Sequence, residues 1–216
     1  MTPTEIEAQQ AHIRRHLRLH IVPNFMKLRK KTCLDLAALS KYIGTEYPAL
    51  VDTLIDPCHS RESFPTRPTI LIHDGLSTDL PDVWLLVWRR ETQDKCEATE
   101  IHDHGKSMAG IYVYTGAIKE VIYATDHSVV RRLSKTRQAP QRIEVRSEQR
   151  IAGSGSTLMI GAPYIHTVEG LSREDFSVTI HSYYPPLIEM RIFRQLKPNF
   201  LTVTDHWIDD MKGRIK

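Results

Sequence analysis

From about Thr69 onward the chain is a succession of short β-branched and aromatic runs divided by turn residues. They are ILI at 70–72, VWLLVW at 83–88, GIYVYTG at 110–116, KEVIYAT at 119–125, QRIEV at 141–145, STLMI at 156–160, FSVTIHSYY at 176–184 and FLTVT at 200–204. So many short strands at regular intervals bury their apolar faces by stacking or closing, which predicts a β-sandwich or a closed barrel.

The preceding third has a helical texture. Thr4 is placed to cap a helix through EIEAQQAHIRRHLRLH, with Ile6, Ile13 and Leu17 at helical spacing, and Pro23 is expected to interrupt it. A second helix is predicted over 34–43, with Leu36, Leu39 and Ile43 on one face and Gly44 beyond its end. Pro48, Pro57, Pro65 and Pro68 mark a loop-rich passage. At 216 residues the chain suits one well-buried domain. The expectation is a helical lead over 1–68 packed on a β-barrel over 69–216, as one structural unit.

Composition narrows the function classes. A net charge of +3 is too small to argue for nucleic acid. No run approaches the roughly 20 apolar residues that span a bilayer, so no membrane partner is expected. The stretch from Met1 to His20 is polar and unlike a signal peptide, which makes cytoplasm the default. Cys33, Cys58 and Cys96 are too scattered for a disulfide framework or zinc cluster and read as reduced thiols. The basic stretch HIRRHLRLH at 12–20 reads as a solvated helix face, with an anion-binding patch as the alternative.

Chemistry enters at His102-Asp103-His104. Residues two apart on a strand share a face, so both imidazoles can reach one ion while Asp103 points the other way. An HxH pair by itself is weak in a chain with eleven histidines. Its surroundings strengthen it: Gly116 and then Glu120 close the stretch, and a later segment, GSTLMIGAPYIHTVEG, centres on His166. A barrel can bring that third imidazole to the same ion, and three protein ligands with open positions make a catalytic rather than a structural site.

IHDHGKSMAGIYVYTGAIKE resembles the first motif of the cupins and GSTLMIGAPYIH the second. With TIHSYYPPL, both look like the thiol dioxygenases, the cysteine dioxygenase family, over roughly Trp84 to Trp207. The resemblance implies an all-β core, a cupin (jelly-roll) β-barrel with an N-terminal helical segment. It implies iron(II) held by His102, His104 and His166, an active-site row of Thr179, His181 and Tyr183, and oxidation of a small thiol, such as a thiol carboxylic acid, to a sulfinate with O2. The alternatives are a metal-dependent cupin enzyme of different chemistry (hydroxylation, carbon–carbon cleavage or isomerisation) and a non-catalytic metal- or ligand-binding cupin.

Two departures from the family matter. Ala109 stands where many cupins carry a glutamate ligand and mammalian cysteine dioxygenase a cysteine crosslinked to the tyrosine, so neither feature is available. No arginine lies between Pro68 and Trp88, where cysteine dioxygenases hold the substrate carboxylate. His73 is nearest that place, and Arg191 lies near the arginine of mercaptopropionate-type enzymes; these two are the candidate substrate-binding residues, with a surface or structural ion pair as the other reading of Arg191. Trp84, Trp88 and Trp207 read as core.

Overall fold

A computed structural model describes residues 3–27, 29–59, 68–76, 78–92, 95–126, 142–162, 164–171 and 176–208 of the chain. Pro65 and Gln141 lie outside the described residues, as do the side chains of Thr4, Pro57 and Trp207.

The helical lead comprises α1 (Pro3–His16), a π-helical turn (Leu17–Ile21), α2 (Val22–Met26), α3 (Cys33–Glu46), α4 (Pro48–Ile55) and a 3-10 turn (Asp56–His59). Helix α1 already includes Pro3, so Thr4 sits within its first turn. The interruption expected at Pro23 is a change of hydrogen-bond register, not a break. The Val22 N–H donates to the Leu17 carbonyl, and Pro23, which has no N–H, falls in the first turn of α2 where no donor is required. The passage expected as loop contains α4. Its Pro48 begins the helix with a preset φ, and Val51, Leu54 and Ile55 recur at helical spacing on the buried face. Helix α3 starts at a capping box: the Asp35 N–H donates to the Thr32 hydroxyl and the Thr32 N–H to the Asp35 carboxylate.

The strands are β1 (Thr69–His73), β2 (Asp82–Thr92), β3 (Lys95–Cys96), β4 (Ile101–His102), β5 (Met108–Thr115), β6 (Ala117–Ala124), β7 (Ile143–Glu144), β8 (Arg146–Gly153), β9 (Thr157–Ile160), β10 (Ile165–Gly170), β11 (Phe176–Tyr184), β12 (Glu189–Lys197) and β13 (Phe200–Ile208). Among the described residues they form a six-stranded sheet, β1-β2-β11-β5-β9 with β3 beside β2, and a seven-stranded sheet, β7-β13-β12-β4-β10-β6-β8. The curled sheets make the all-β cupin (jelly-roll) half-barrel, with short N-terminal helices. Strand β8 is too polar to read as a strand (RSEQRIAG), because it is the edge of its sheet and mostly exposed.

Strand alternation sorts the core into layers. On β2, Val83, Leu85 and Val87 face outward into a cluster with α1–α4, while Leu86 and Trp88 face inward between the sheets. Burial on both sides is why VWLLVW reads as an unbroken apolar run. Helix α3 lies flat on the six-stranded sheet at Gly110, where a Cβ would come within 2.0 Å of the Ala37 backbone nitrogen. The Ser40 hydroxyl bonds the Gly110 carbonyl at 3.0 Å and the Ser182 hydroxyl at 2.8 Å. With Ser182 and Ile180 turned to the helix, Thr179, His181 and Tyr183 must face the barrel interior. Gly116 turns β5 into β6 with φ of 74°, and a Cβ there would meet the Ser177 side chain at 2.5 Å. No helix among the described residues is long and apolar enough to cross a membrane.

Candidate metal centre

Strand β4 is two residues long, set between β10 and β12, with His102 opposite His166 on one side and Ile192 on the other. His104 follows in the turn. The Nε2 atoms of His102 and His104 are 3.2 Å apart, as are those of His104 and His166. Two nitrogens about 2.0–2.1 Å from one ion, at tetrahedral to octahedral angles, lie roughly 2.8–3.4 Å from each other, so the spacing fits. All three histidines are buried and together could hold a metal ion.

The outer nitrogens fix what the inner ones can do. His102 Nδ1 donates to the Glu100 carbonyl at 2.9 Å, and His166 Nδ1 donates to Glu120 Oε1 at 2.7 Å. Each therefore turns an Nε2 lone pair inward. His104 Nδ1 is buried without a hydrogen-bond partner. Burial, and then the neighbouring histidines, hold the His104 pKa well below its ordinary value, so its ring is neutral. Three imidazole nitrogens gathered at one point form a site for a cation.

Glu120 was singled out in the sequence only as the end of the first motif; its partnership with His166 was missed. The available signal was an acid on the inward face of a strand, since Ile118 and Glu120 are both fully buried. Burial pushes the Glu120 carboxyl up, but hydrogen bonds and charge from His166 and Arg150 outweigh it and hold the pKa below the usual value. Arg150 Nε donates to the other carboxylate oxygen.

Opposite the histidines lies a hydrogen-bonded row on β11. The indole N–H of Trp88 donates to the Thr179 hydroxyl at 2.8 Å, that hydroxyl lies 2.8 Å from His181 Nε2, and His181 Nδ1 lies 3.0 Å from the Tyr183 hydroxyl. An indole N–H can only donate. The Thr179 hydroxyl therefore accepts from Trp88, and the imidazole tautomer of His181 sets the direction of the two remaining bonds in the row. The Tyr183 and His104 rings meet edge to face with centroids 4.9 Å apart. Ala109 pairs with Tyr183 across β5 and β11 and is fully buried.

A cavity of about 210 Å³ lies between row and histidines. His102, His166, His181 and Tyr183 line it together with Trp84, Leu86, Val168, Leu187, Met190 and Ile192. Neither candidate substrate clamp is among the lining residues. Met190 and Ile192 face the cavity, so Arg191 between them faces away, where its Nε lies 2.7 Å from Asp103 Oδ2. Its backbone N–H also donates to Asp103 Oδ1, at 3.1 Å, so the pair ties the HxH turn to β12 from behind. This is the ion-pair reading of Arg191, and it leaves the clamp without the geometry it needs. His73 is buried with Nδ1 donating to the Pro81 carbonyl at 2.8 Å. Burial holds its pKa down, against the pull of that carbonyl and of Asp82.

A family model described as cysteine dioxygenase type I matches residues 77–196. A search of curated proteins returns no significant match. Among solved structures the chain is similar to an oxalate decarboxylase–formate complex from Lactobacillus farciminis, at 11% identity and a TM-score of 0.40, covering 56% of this chain and 29% of that one. It is also similar to a recombinant oxalate oxidase in complex with glycolate, at 10% identity and a TM-score of 0.37, covering 54% and 50%. A third is KdgF from Halomonas sp., at 13% identity and a TM-score of 0.35, covering 55% and 79%. The chain spans less than a third of the decarboxylase and half of the oxidase.

Proposed function

This chain belongs to the cysteine dioxygenase type I family, and from that premise we propose that it is a non-haem iron(II)-dependent dioxygenase that converts a small thiol to its sulfinate with O2. The observation that carries the reading is the convergence of three imidazole nitrogens beside a small cavity that His102 and His166 line together with His181 and Tyr183. The reaction balances without a further reductant, since both oxygen atoms end on sulfur.

His102, His104 and His166 would hold the ion through Nε2; bound iron(II) would supply open positions for a thiolate and O2 and the electrons exchanged between them. Three neutral ligands leave the ion's full dipositive charge in a buried site, which favours an anionic sulfur and lowers a thiol's pKa there. Glu120 holds His166 in the tautomer that turns Nε2 inward. With the His181 proton on Nδ1, Thr179 and His181 would orient the Tyr183 hydroxyl as a donor towards negative charge that develops during the reaction. A cavity of about 210 Å³ is smaller than those that hold drug-sized ligands, and its largely apolar walls exclude water from the reacting atoms.

The test is anaerobic loading with iron(II), followed by oxygen-electrode assays with a thiol panel and mass analysis of the product. Oxygen uptake with a product heavier by two oxygen atoms is expected. Iron-loaded protein that consumes no oxygen with any thiol removes the reading. Tyr183→Phe should lower kcat by about 10²-fold with metal content unchanged, because it deletes only the hydroxyl; an unchanged kcat would remove Tyr183 from the reaction.

A further inference from the structure

The cavity walls carry information about the substrate's other end. Away from the histidines and the β11 row, the surface is made by Trp84, Leu86, Val168, Leu187, Met190 and Ile192. Two threonines, Thr69 and Thr99, complete it with Glu100, an exposed residue and the one acidic residue among the described lining residues. No lysine or arginine is among them.

Two described arginines that sit beside inward-facing residues in the chain are engaged behind the wall. Arg191, between two lining residues, lies against Asp103, and its Nη1 is sealed in the sheet with no accessible surface, so it does not border the cavity. Arg89, next to inward-facing Trp88, pairs with Glu97 at 2.7 Å. The Nε2 of His73 is sealed in the same way as Nη1 of Arg191. The Thr99 hydroxyl already accepts from the Val168 N–H at 2.9 Å and lies 3.4 Å from the Thr167 hydroxyl.

An anion taken from water into such walls loses its hydration and finds no cation among the described lining residues to replace it. The thiolate sulfur differs, because the metal would meet its charge. We infer that the substrate is a small thiol whose tail bears no carboxylate or other anionic group, and whose far end is received by apolar wall. The inference rests on the thiol dioxygenase reading, and it departs from an arginine-clamped thiol acid.

An isosteric pair isolates the charge: 3-mercaptopropionate against 3-mercaptopropionamide, with 1-butanethiol as the fully apolar tail. Binding is read by titrating the cobalt(II)-loaded protein and following its sulfur-to-cobalt charge-transfer band, and turnover by oxygen uptake of the iron(II)-loaded protein. The amide and butanethiol should each bind about tenfold or more tighter than the acid, the scale of one unmet hydrogen bond to a charged group. An acid that binds as tightly as its amide overturns the inference. Met190→Arg, which adds a cation to the wall, should narrow or reverse the ratio; an unchanged ratio in the folded variant also overturns it, and if the variant does not fold the wild-type pair decides. Turnover of the thiol acid to a sulfinate in preference to the amide would sink this inference and keep the dioxygenase. Tight binding of the neutral thiols without oxygen uptake would do the reverse, and failure to bind any of the three thiols would overturn both.

Discussion

Strand β11, which carries the Thr179–His181–Tyr183 row, is nine residues long and is clamped between β2 and β5 with α3 against its outer face. Strand β4, which carries the first candidate ligand, is two residues long and lies between β10 and β12, and the turn that follows it is tied to β12 by the Asp103–Arg191 pair. One half of the site is thus held by close packing and the other by a buried ion pair and by hydrogen bonds to imidazole Nδ1 atoms. Packing positions a strand whatever the protonation and solvent, whereas a buried pair holds only while both charges remain. The two halves should therefore fail differently.

The largest effect is expected at the ligands. Replacing His102, His104 or His166 by alanine should abolish metal retention while circular dichroism still reports a folded barrel; full metal occupancy in any one variant removes that residue from the ligand set. Next comes Arg191→Ala, which leaves Asp103 buried without its partner. It should destabilise the fold by about 3–5 kcal/mol in urea unfolding and weaken metal binding as well. If metal affinity is unchanged, the pair does not support the HxH turn and the contrast between the halves collapses.

Gly110→Ala attacks the packed half. The added Cβ meets α3 backbone, so a loss of about 1–3 kcal/mol is expected with metal affinity intact. A loss of metal in this variant would mean that the halves are coupled. The smallest effect is expected on the outer edge, at Ile151 of β8, which is 64% exposed. Ile151→Thr should shift stability by no more than about 0.5 kcal/mol, and a larger change would show that this edge is covered in solution.

Much of the site was legible because strand geometry is local. Spacing by two predicts that Thr179, His181 and Tyr183 share a face and that Asp103 opposes His102, without reference to any other strand. The motif glycine Gly116 was equally readable, and the structure supplies its reason in the Ser177 side chain. The elements missed were those whose signal depends on surroundings. Helix α4 was obscured by the prolines around it, and β8 by polarity that makes sense only at a sheet edge. Glu120 looked like one acid among many, since its partner lies on another strand, forty-six positions away.

Arg191 marks the boundary between the two kinds of knowledge. Once 189–197 is a strand, which the sequence reading did not pick out, alternation along β12 sets Arg191 opposite to Met190 and Ile192. Which of those faces borders the cavity depends on how β12 pairs with β4, where Ile192 lies beside His102. A slip of one residue in that register would bring Arg191 into the cavity and turn Met190 and Ile192 away. The sequence therefore determined which residues travel together on a face. Only the tertiary pairing of distant strands, selected by the burial of whole faces at once, decided that the arginine stands behind the metal centre and the apolar pair in front of it.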